Sequence, residues 1–285
     1  MAQEREIAAR LASLDELGNI VSVIRAIAAS QMQQALRSLE AIGRYAAMIR
    51  GALSEAAMLL PQPRADADPP LPSRTGLILF SAEHGLCGAF NERLLQAAEQ
   101  ARAESARGTV LMVVGSRGGR IFQERALNPD LLVPAATHCA GVTATARHIA
   151  AEAYRMLNER RITALEVIYA RYAGGQTVRI ERRRLLPLEF PAGAGRSADL
   201  PPLINLQPRR LFEELVGEYF FATLEDAAMQ SFFSENSSRF QAMEAAHQNI
   251  GKKQETLSRL SRRLLQESVT AEILDLISAT QALTG

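Results

Sequence analysis

The sequence predicts an α/β domain, Rossmann-like and of about five strands, together with a long antiparallel coiled coil formed by the N- and C-terminal helices. Three observations carry this. Residues Gln3 to Leu60, and everything after Pro208, are free of internal proline. Two stretches rich in proline, glycine and alanine, PQPRADADPPLPSR (Pro61 to Arg74) and PAGAGRSADLPP (Pro191 to Pro202), set these ends apart from the middle. The middle itself alternates short apolar runs with helical patterns, which is the texture of a mostly parallel sheet covered by helices. The boundaries follow: an N-terminal helix over 1–60, a linker over 61–74, an α/β domain over 75–190, a second linker over 191–207 and a C-terminal helix over 208–285.

From Gln3 to Leu60 the only glycines are Gly18, Gly43 and Gly51. A helix of roughly 58 residues is therefore allowed, and it would span on the order of 87 Å. Steps of three and four pick out Ile7, Leu11, Leu14, Gly18, Val21, Arg25, Ala28, Met32, Ala35, Leu39, Ile42, Ala46, Ile49, Leu53, Ala56 and Leu60. Only Gly18 and Arg25 interrupt this apolar seam, and its persistence over about eight heptads is a coiled-coil signal. Its alanines suit close helix approach.

In the middle, TGLILF (Thr75 to Phe80) and TVLMVVG (Thr109 to Gly115) read as buried strands, with LLVP near Leu131 as a third. Helical patterns fall at Asn91 to Arg107, Ser116 to Arg125 and Val142 to Glu159. ALEVIYARYAGGQTVRIERRRLLPL pairs two strand-like runs about Gly174-Gly175, which is a hairpin reading. After Pro208 roughly 75 residues of helix would extend on the order of 110 Å. A domain of about 130 residues is only some 30–40 Å across, so neither end can bury its apolar stripe on it. The expectation is that the two ends bury that stripe on each other or on another protein.

Composition excludes several classes. Thirty-two basic against 31 acidic residues give a formal charge of +1, which favours neither nucleic acid nor an anionic membrane. Cys87 and Cys139 form no CxxC pair, so neither a disulfide framework nor a structural zinc site is expected, and a reducing cytoplasm is the simplest compartment. The charged N-terminus MAQEREIAARLASLDELGN has no signal-peptide core, and the longest apolar runs are too short to cross a bilayer. No direct membrane insertion is expected; partners would carry the chain to a membrane.

The run SENSSRFQAMEAAHQNI (Ser234 to Ile250) resembles the SE-x-x-AR-x-x-AM-x-x-A-x-x-N signature of the gamma subunit of F-type ATP synthases, at Ser234, Glu235, Arg239, Ala242, Met243, Ala246 and Asn249. QESVTAEILDLISATQAL (Gln266 to Leu283) is similar to that family's terminal Q-x-x-I-T-x-E-I segment at Gln266, Thr270, Glu272 and Ile273. IAASQMQQA (Ile27 to Ala35) resembles its V-A-A-S-K motif, SAEHGLCGAFN (Ser81 to Asn91) its S-x-D-R-G-L-C-G-x-x-N loop, and YARYAGGQTVRIERRRLLPL its hairpin ending in L-L-P. Departures are VSVIRA (Val21 to Ala26) for T-x-A-M-x-M, Gln31 for the basic residue after the serine, Glu83-His84 for Asp-Arg, Leu265 for Arg and Arg262 for Asn. They suggest a divergent branch.

The resemblance implies a non-catalytic rotor shaft that couples ion flow through a membrane ring to ATP synthesis or hydrolysis in a catalytic head. Its partners would be the catalytic and nucleotide-binding subunits of that head, a small epsilon-type subunit and the membrane rotor ring. No cofactor, metal or nucleic acid is expected, and its place would be peripheral, on the cytoplasmic face of a bacterial inner membrane. It implies stator contacts at Arg25, Gln266, Glu267, Thr270 and Glu272, and a ring-facing foot at Tyr45, Leu206, Gln207 and Arg209. Simple solvated helix positions are the alternative for the first set, and a core or capping role for Tyr45.

Other motifs offer possible chemistry beside plainer roles. HGLCGAFN and GSRGGR (Gly115 to Arg120) each lie between strand and helix, where backbone N–H groups can cradle phosphate. Neither is GxGxxG or a P-loop, so tight packing turns are expected. Cys87 near His84 could be an activated thiol, but no third group orients the imidazole, and a buried inert thiol is the commoner fate. His138 beside Cys139 lacks the ligand count for a metal. Arg182 to Arg184 lie in a strand pattern, where alternation sends them to both faces of a sheet edge, either solvated or docking the epsilon-type subunit. Two rivals remain: a Rossmann-like nucleotide-binding enzyme with helical extensions, which requires a pocket at the strand ends, and a generic coiled-coil scaffold.

Overall fold

A computed structural model describes residues 2–60, 74–105, 108–173, 178–188 and 203–284, with side chains from residue 5 and, at the far end, as far as residue 274 except Glu272. The expected linkers at 61–74 and 191–207 fall largely outside these residues, as does the Gly174-Gly175 turn. The chain divides into two compact units, one of residues Met1–Ile27 with Phe240–Gly285 and one of Ala28–Arg239. Two helices run through both: α1 (Ala2–Met58, 57 residues) and α5 (Pro208–Thr284, 77 residues). Proline at the first position of α5 fits a helix start, where its missing N–H would have no partner anyway.

In the smaller unit the two ends are antiparallel. Arg25 pairs with Glu244 at 2.7 Å, Gly18 sits 3.7 Å from Ile250 when a Cβ is built on it, and Gln254 donates to Asp15 at 2.5 Å. Partner numbers rise on one helix as they fall on the other. Ile7 is buried, while Leu11, Leu14, Gly18 and Val21 are half-buried, with every residue between Leu11 and Leu14, and between Leu14 and Gly18, exposed. On α5 the covered positions Met243, Ala246, Ile250, Gln254, Leu257, Ser261 and Leu264 keep the same three-four spacing.

The larger unit holds a five-stranded sheet in the order β3-β2-β1-β4-β5. The strands are β1 (Thr75–Phe80), β2 (Thr109–Val114), β3 (Leu131–Val133), β4 (Ala164–Tyr172) and β5 (Val178–Leu186). The first four run parallel, and β5 is the antiparallel return of a hairpin, as expected. Alternation splits the core in two. Leu77, Leu79, Leu111, Val113 and Ile168 face α2 (Phe90–Glu104) and α3 (Ser116–Glu124). Ile78, Phe80, Met112, Val114, Val167 and Tyr169 face the other way, towards α4 (Val142–Asn158).

That second face corrects one expectation. The terminal helices are expected to bury their stripes on each other or on another protein and not on the domain, yet Phe220, Leu224, Ala228, Met229, Phe232 and Phe233 of α5 belong to the sheet's own core, joined by Ala35 of α1. The reason is geometric: α4 alone is 17 residues long and cannot cover one face of five strands. The middle of α5 therefore serves as a layer of the α/β domain.

Gly115 shows how tightly this domain closes. Its φ is +116°, and a Cβ there would lie 2.4 Å from the Ser81 carbonyl oxygen. Gly115→Ala is expected to lower unfolding free energy by about 3 kcal/mol or more, through backbone strain plus overpacking. Gly51, inside α1 with open space about its Cα, is expected to gain about 0.5–1 kcal/mol on change to alanine. Urea unfolding of the two variants checks both; similar midpoints would contradict the packing described.

Candidate functional site

In an open α/β sheet, ligands bind beyond the carboxyl ends of the strands. Here that position lies after β1 and β2, and the chain's own groups fill it. Ser81 donates its hydroxyl to the Val114 carbonyl at 2.8 Å, and Gly115 N–H reaches Val133 at 2.8 Å, tying the three strand ends together. One oxygen of Glu83 accepts the N–H groups of Ser116 at 2.9 Å and Ala135 at 2.7 Å. Ser116 opens α3, so a carboxylate occupies the helix N-terminus where phosphate would otherwise sit. Partial burial pushes the Glu83 carboxyl up, but the hydrogen bonds from Ser116 and Ala135 outweigh it and hold the group below the usual range.

A second carboxylate takes the neighbouring donors. The N–H groups of Glu83 and His84 point at the two oxygens of Glu235 from α5, each at 3.4 Å. Arg239 binds Glu235 at 2.5 Å and donates to the carbonyls of Gly85 and His84, both at 3.2 Å, and to the Asn236 amide oxygen at 3.1 Å. Burial pushes the Glu235 carboxyl up, and Arg239 opposes the shift. A glutamate thus closes the N-terminus of α3, and a second one takes the first N–H groups of the loop after β1. The space left, lined by Phe80, Ser81, Val114, Phe232 and Glu235, is about 20 Å³. That holds one water and no nucleotide.

Cys87 lies at the same loop. It is 4% exposed, and burial raises its pKa to about 11, so it is a thiol at neutral pH and a poor nucleophile. GSRGGR is a packing turn for a legible reason. A Cβ on Gly118 would meet the Ser81 side chain at 2.2 Å, so α3 approaches the β1 end only with glycine there.

The residues assigned to stator contacts fall in the smaller unit. Arg25 is a member of the helix seam, paired with Glu244 and 30% exposed at its side chain. Gln266, Glu267 and Thr270 are exposed; Thr270 donates to the Gln266 carbonyl at 2.7 Å, and Glu267 pairs with Arg263 at 2.9 Å. The Glu272 side chain is outside the described residues. Two apolar stripes accompany them. Leu17, Ile20, Val23 and Ile27 are each more than half exposed and share one face of α1. Leu265, Val269 and Ile273, spaced by four and all exposed, share one face of α5.

The foot residues fall in the larger unit. Tyr45 of α1 donates to Glu218 of α5 at 3.0 Å, and this hydrogen bond raises the phenol's pKa. Leu206 is 40% exposed, the Gln207 carbonyl accepts the Leu211 N–H at the start of α5, and Arg209 pairs with Glu213 at 3.1 Å. Tyr45 therefore bridges two helices while its ring stays partly in solvent. On the edge strand β5, alternation holds: Arg182 pairs with Glu166 at 2.6 Å and with Glu104 of α2 on one face, and Arg183 donates to Tyr219 at 3.0 Å on the other. Among the described residues no helix is long and apolar enough to cross a membrane.

Glu83 gives a titration that isolates the strand-end closure. Its folded pKa is depressed, so its contribution is in full above the ordinary value of 4.5 and is lost as pH falls through the lower folded value. Glu83→Gln keeps the single accepting oxygen but cannot titrate. Acid unfolding of the wild type should steepen below that pH relative to the variant, and superimposable curves would refute the assignment.

Comparison with known proteins gives the family. A family model described as ATP synthase matches residues 3–283. The ATP synthase gamma chain of Solibacter usitatus is 24% identical, over 97% of this chain and 98% of its own length. That of Streptomyces coelicolor is 28% identical, over 99% and 96%. Among solved structures, the rotor of the Euglena gracilis mitochondrial ATP synthase superposes with a TM-score of 0.67 at 14% identity, covering 94% of this chain and 99% of that one. The central stalk of the Tetrahymena thermophila mitochondrial enzyme gives 0.57 at 18%, covering 80% and 99%. These last two are likenesses of fold. With the family match spanning nearly every residue and gamma chains aligned end to end with it, the protein belongs to the ATP synthase gamma family, the non-catalytic central-stalk subunits of F-type ATP synthases.

Proposed function

We propose that the smaller unit is the part of the shaft that turns inside the catalytic head, and that the larger unit carries the foot that meets the membrane rotor ring. The observation that carries this reading is the pair of outward apolar stripes in the smaller unit. Leu17, Ile20, Val23 and Ile27 on one helix, and Leu265, Val269 and Ile273 on the other, are large aliphatic side chains left in solvent after the helices have buried their seam. An apolar face of this kind calls for a partner surface. Because it is made of two unlike helices, it presents a different profile in each direction. A lopsided surface binds three conformations of a surrounding subunit unequally, and rotating it shifts which conformation is favoured at each position.

Apolar contacts also suit a bearing. They have no fixed partner geometry, so the surface can move past a collar without breaking directional bonds at each step. Around this face Arg25, Gln266, Glu267, Thr270 and Glu272 supply polar contacts to the head subunits. Exposed single ion pairs there contribute little on their own, about 0–1 kcal/mol each. Tyr45, Leu206, Gln207 and Arg209 contact the ring, and the basic edge of β5 docks the epsilon-type subunit. The gamma family is a peripheral part of a membrane-bound complex; the finer place of this chain is the cytoplasmic face of a bacterial inner membrane.

Co-production of the chain with the head subunits tests the reading. A complex with one copy of this chain is expected, and removal of residues beyond about Gln266 together with most of α1 should abolish coupling of ATP hydrolysis to ion transport. Full coupling by the doubly truncated chain would end the torque assignment. Within the full chain, Ile20→Asp with Ile27→Asp should reduce coupled activity about ten-fold or more, since each places a charge in an apolar contact, while thermal unfolding of the isolated chain shifts little.

A further inference from the structure

Ser231, Glu235 and Arg239 are spaced by four on α5 and share one face of it, and all three reach into the α/β domain. Ser231 donates to the Phe80 carbonyl at 3.4 Å at the end of β1. Glu235 accepts the N–H groups of Glu83 and His84, and Arg239 donates to the carbonyls of His84 and Gly85. The Arg239 and Glu235 side chains are only 10% and 7% exposed. Arg239 is also the last residue of the larger unit, so this is the final grip the domain has on the helix within that unit.

Adhesion does not require such an arrangement. The aromatic and aliphatic face of α5 a turn earlier already holds the helix on the sheet, and apolar side chains of the same volume would serve as well as a buried ion pair. Directionality is what the pair adds. Apolar packing tolerates sliding and re-forms after a small rotation, whereas a bond between guanidinium, carboxylate and four backbone groups is lost when angles and distances drift. A helix under torque is loaded about its own axis, which is the motion this geometry resists.

We propose that Glu235 and Arg239 are positioning residues for torque transfer: with the loop Glu83–Gly85 they lock the rotational setting of α5 against the α/β domain, so that load passes between helix and domain without slip. The inference rests on the rotor reading above. It assigns to the SE-x-x-x-R segment a role distinct from contact with head or ring, since both side chains face inward.

The test uses the complete complex in inverted membrane vesicles, scoring assembled complex, ATP hydrolysis rate and ATP-driven ion uptake per ATP hydrolysed. Glu235→Met with Arg239→Met removes both buried charges together and keeps volume, so assembly and hydrolysis should stay near wild type while uptake per ATP is at least halved. Arg239→Lys keeps the charge but not the two carbonyl contacts, and should fall between. Unchanged uptake per ATP in the assembled double variant overturns the proposal. So does a double variant that fails to assemble while Arg239→Lys assembles and pumps normally, because the pair is then only a folding element. A complex with the unaltered chain that hydrolyses ATP without any uptake sinks the rotor reading itself, so the two failures are read from different samples.

Discussion

The structure depends on one helix meeting two different burial demands along its length. Between Phe220 and Phe233, α5 covers a sheet face that α4 is too short to cover alone, and from Phe240 onward it covers the seam of α1. Each large apolar side chain fully buried contributes about 1.5–3 kcal/mol, so the aromatic and aliphatic residues of the first segment together supply on the order of 10 kcal/mol before entropy is counted. Without that segment the core face made by Ile78, Met112, Val114 and Val167 would lie open. The same uninterrupted helix then continues as one strand of the coiled coil. Domain and coiled coil thus share one helix, and a proline in its interior would break the backbone ladder there.

Closure of the strand ends follows from this arrangement. Once α5 lies on the sheet, Glu235 reaches the loop after β1, and its carboxylate takes the two N–H groups that a phosphate could have used. Glu83 takes the Ser116 N–H at the start of α3. A Rossmann-like layout is in this way emptied of its usual chemistry by two carboxylates of its own, one local and one brought in by the terminal helix. Fold and function separate cleanly here: the sheet is a brace for a long helix, and the cleft where such folds bind nucleotides has become a joint.

Much of this was legible in the residues. The α1 seam read by steps of three and four holds to the position: Ile7, Ala28, Ala35, Ala46, Ile49, Leu53 and Ala56 are buried and the other members half-buried. The strands at Thr75–Phe80 and Thr109–Val114 and the hairpin also stand where the apolar runs put them, because those signals are local. What the residues did not show was where α5 goes. The doublets Phe220-Phe221 and Phe232-Phe233 make an apolar face wider than a two-helix seam needs, and that width was the available sign of a second partner. The anchoring of Glu83 on Ser116 and Ala135 joins residues far apart in the chain, and no period reports such a pairing.

The departures from the family pattern look different once their surroundings are known. At Gln31, where the family motif has a basic residue, the side-chain oxygen accepts the N–H of Cys139 at 3.2 Å, at the mouth of the short turn Cys139–Gly141. Lysine or arginine carries only donors and could not make that bond. Glutamine at this position therefore ties α1 to the α/β domain. Glu83, in place of an aspartate, has the reach of an extra methylene and uses one oxygen for two backbone donors on different segments. Gln31 thus ties α1 to the domain, while Glu83 ties together two segments inside the domain, the start of α3 and the chain after β3.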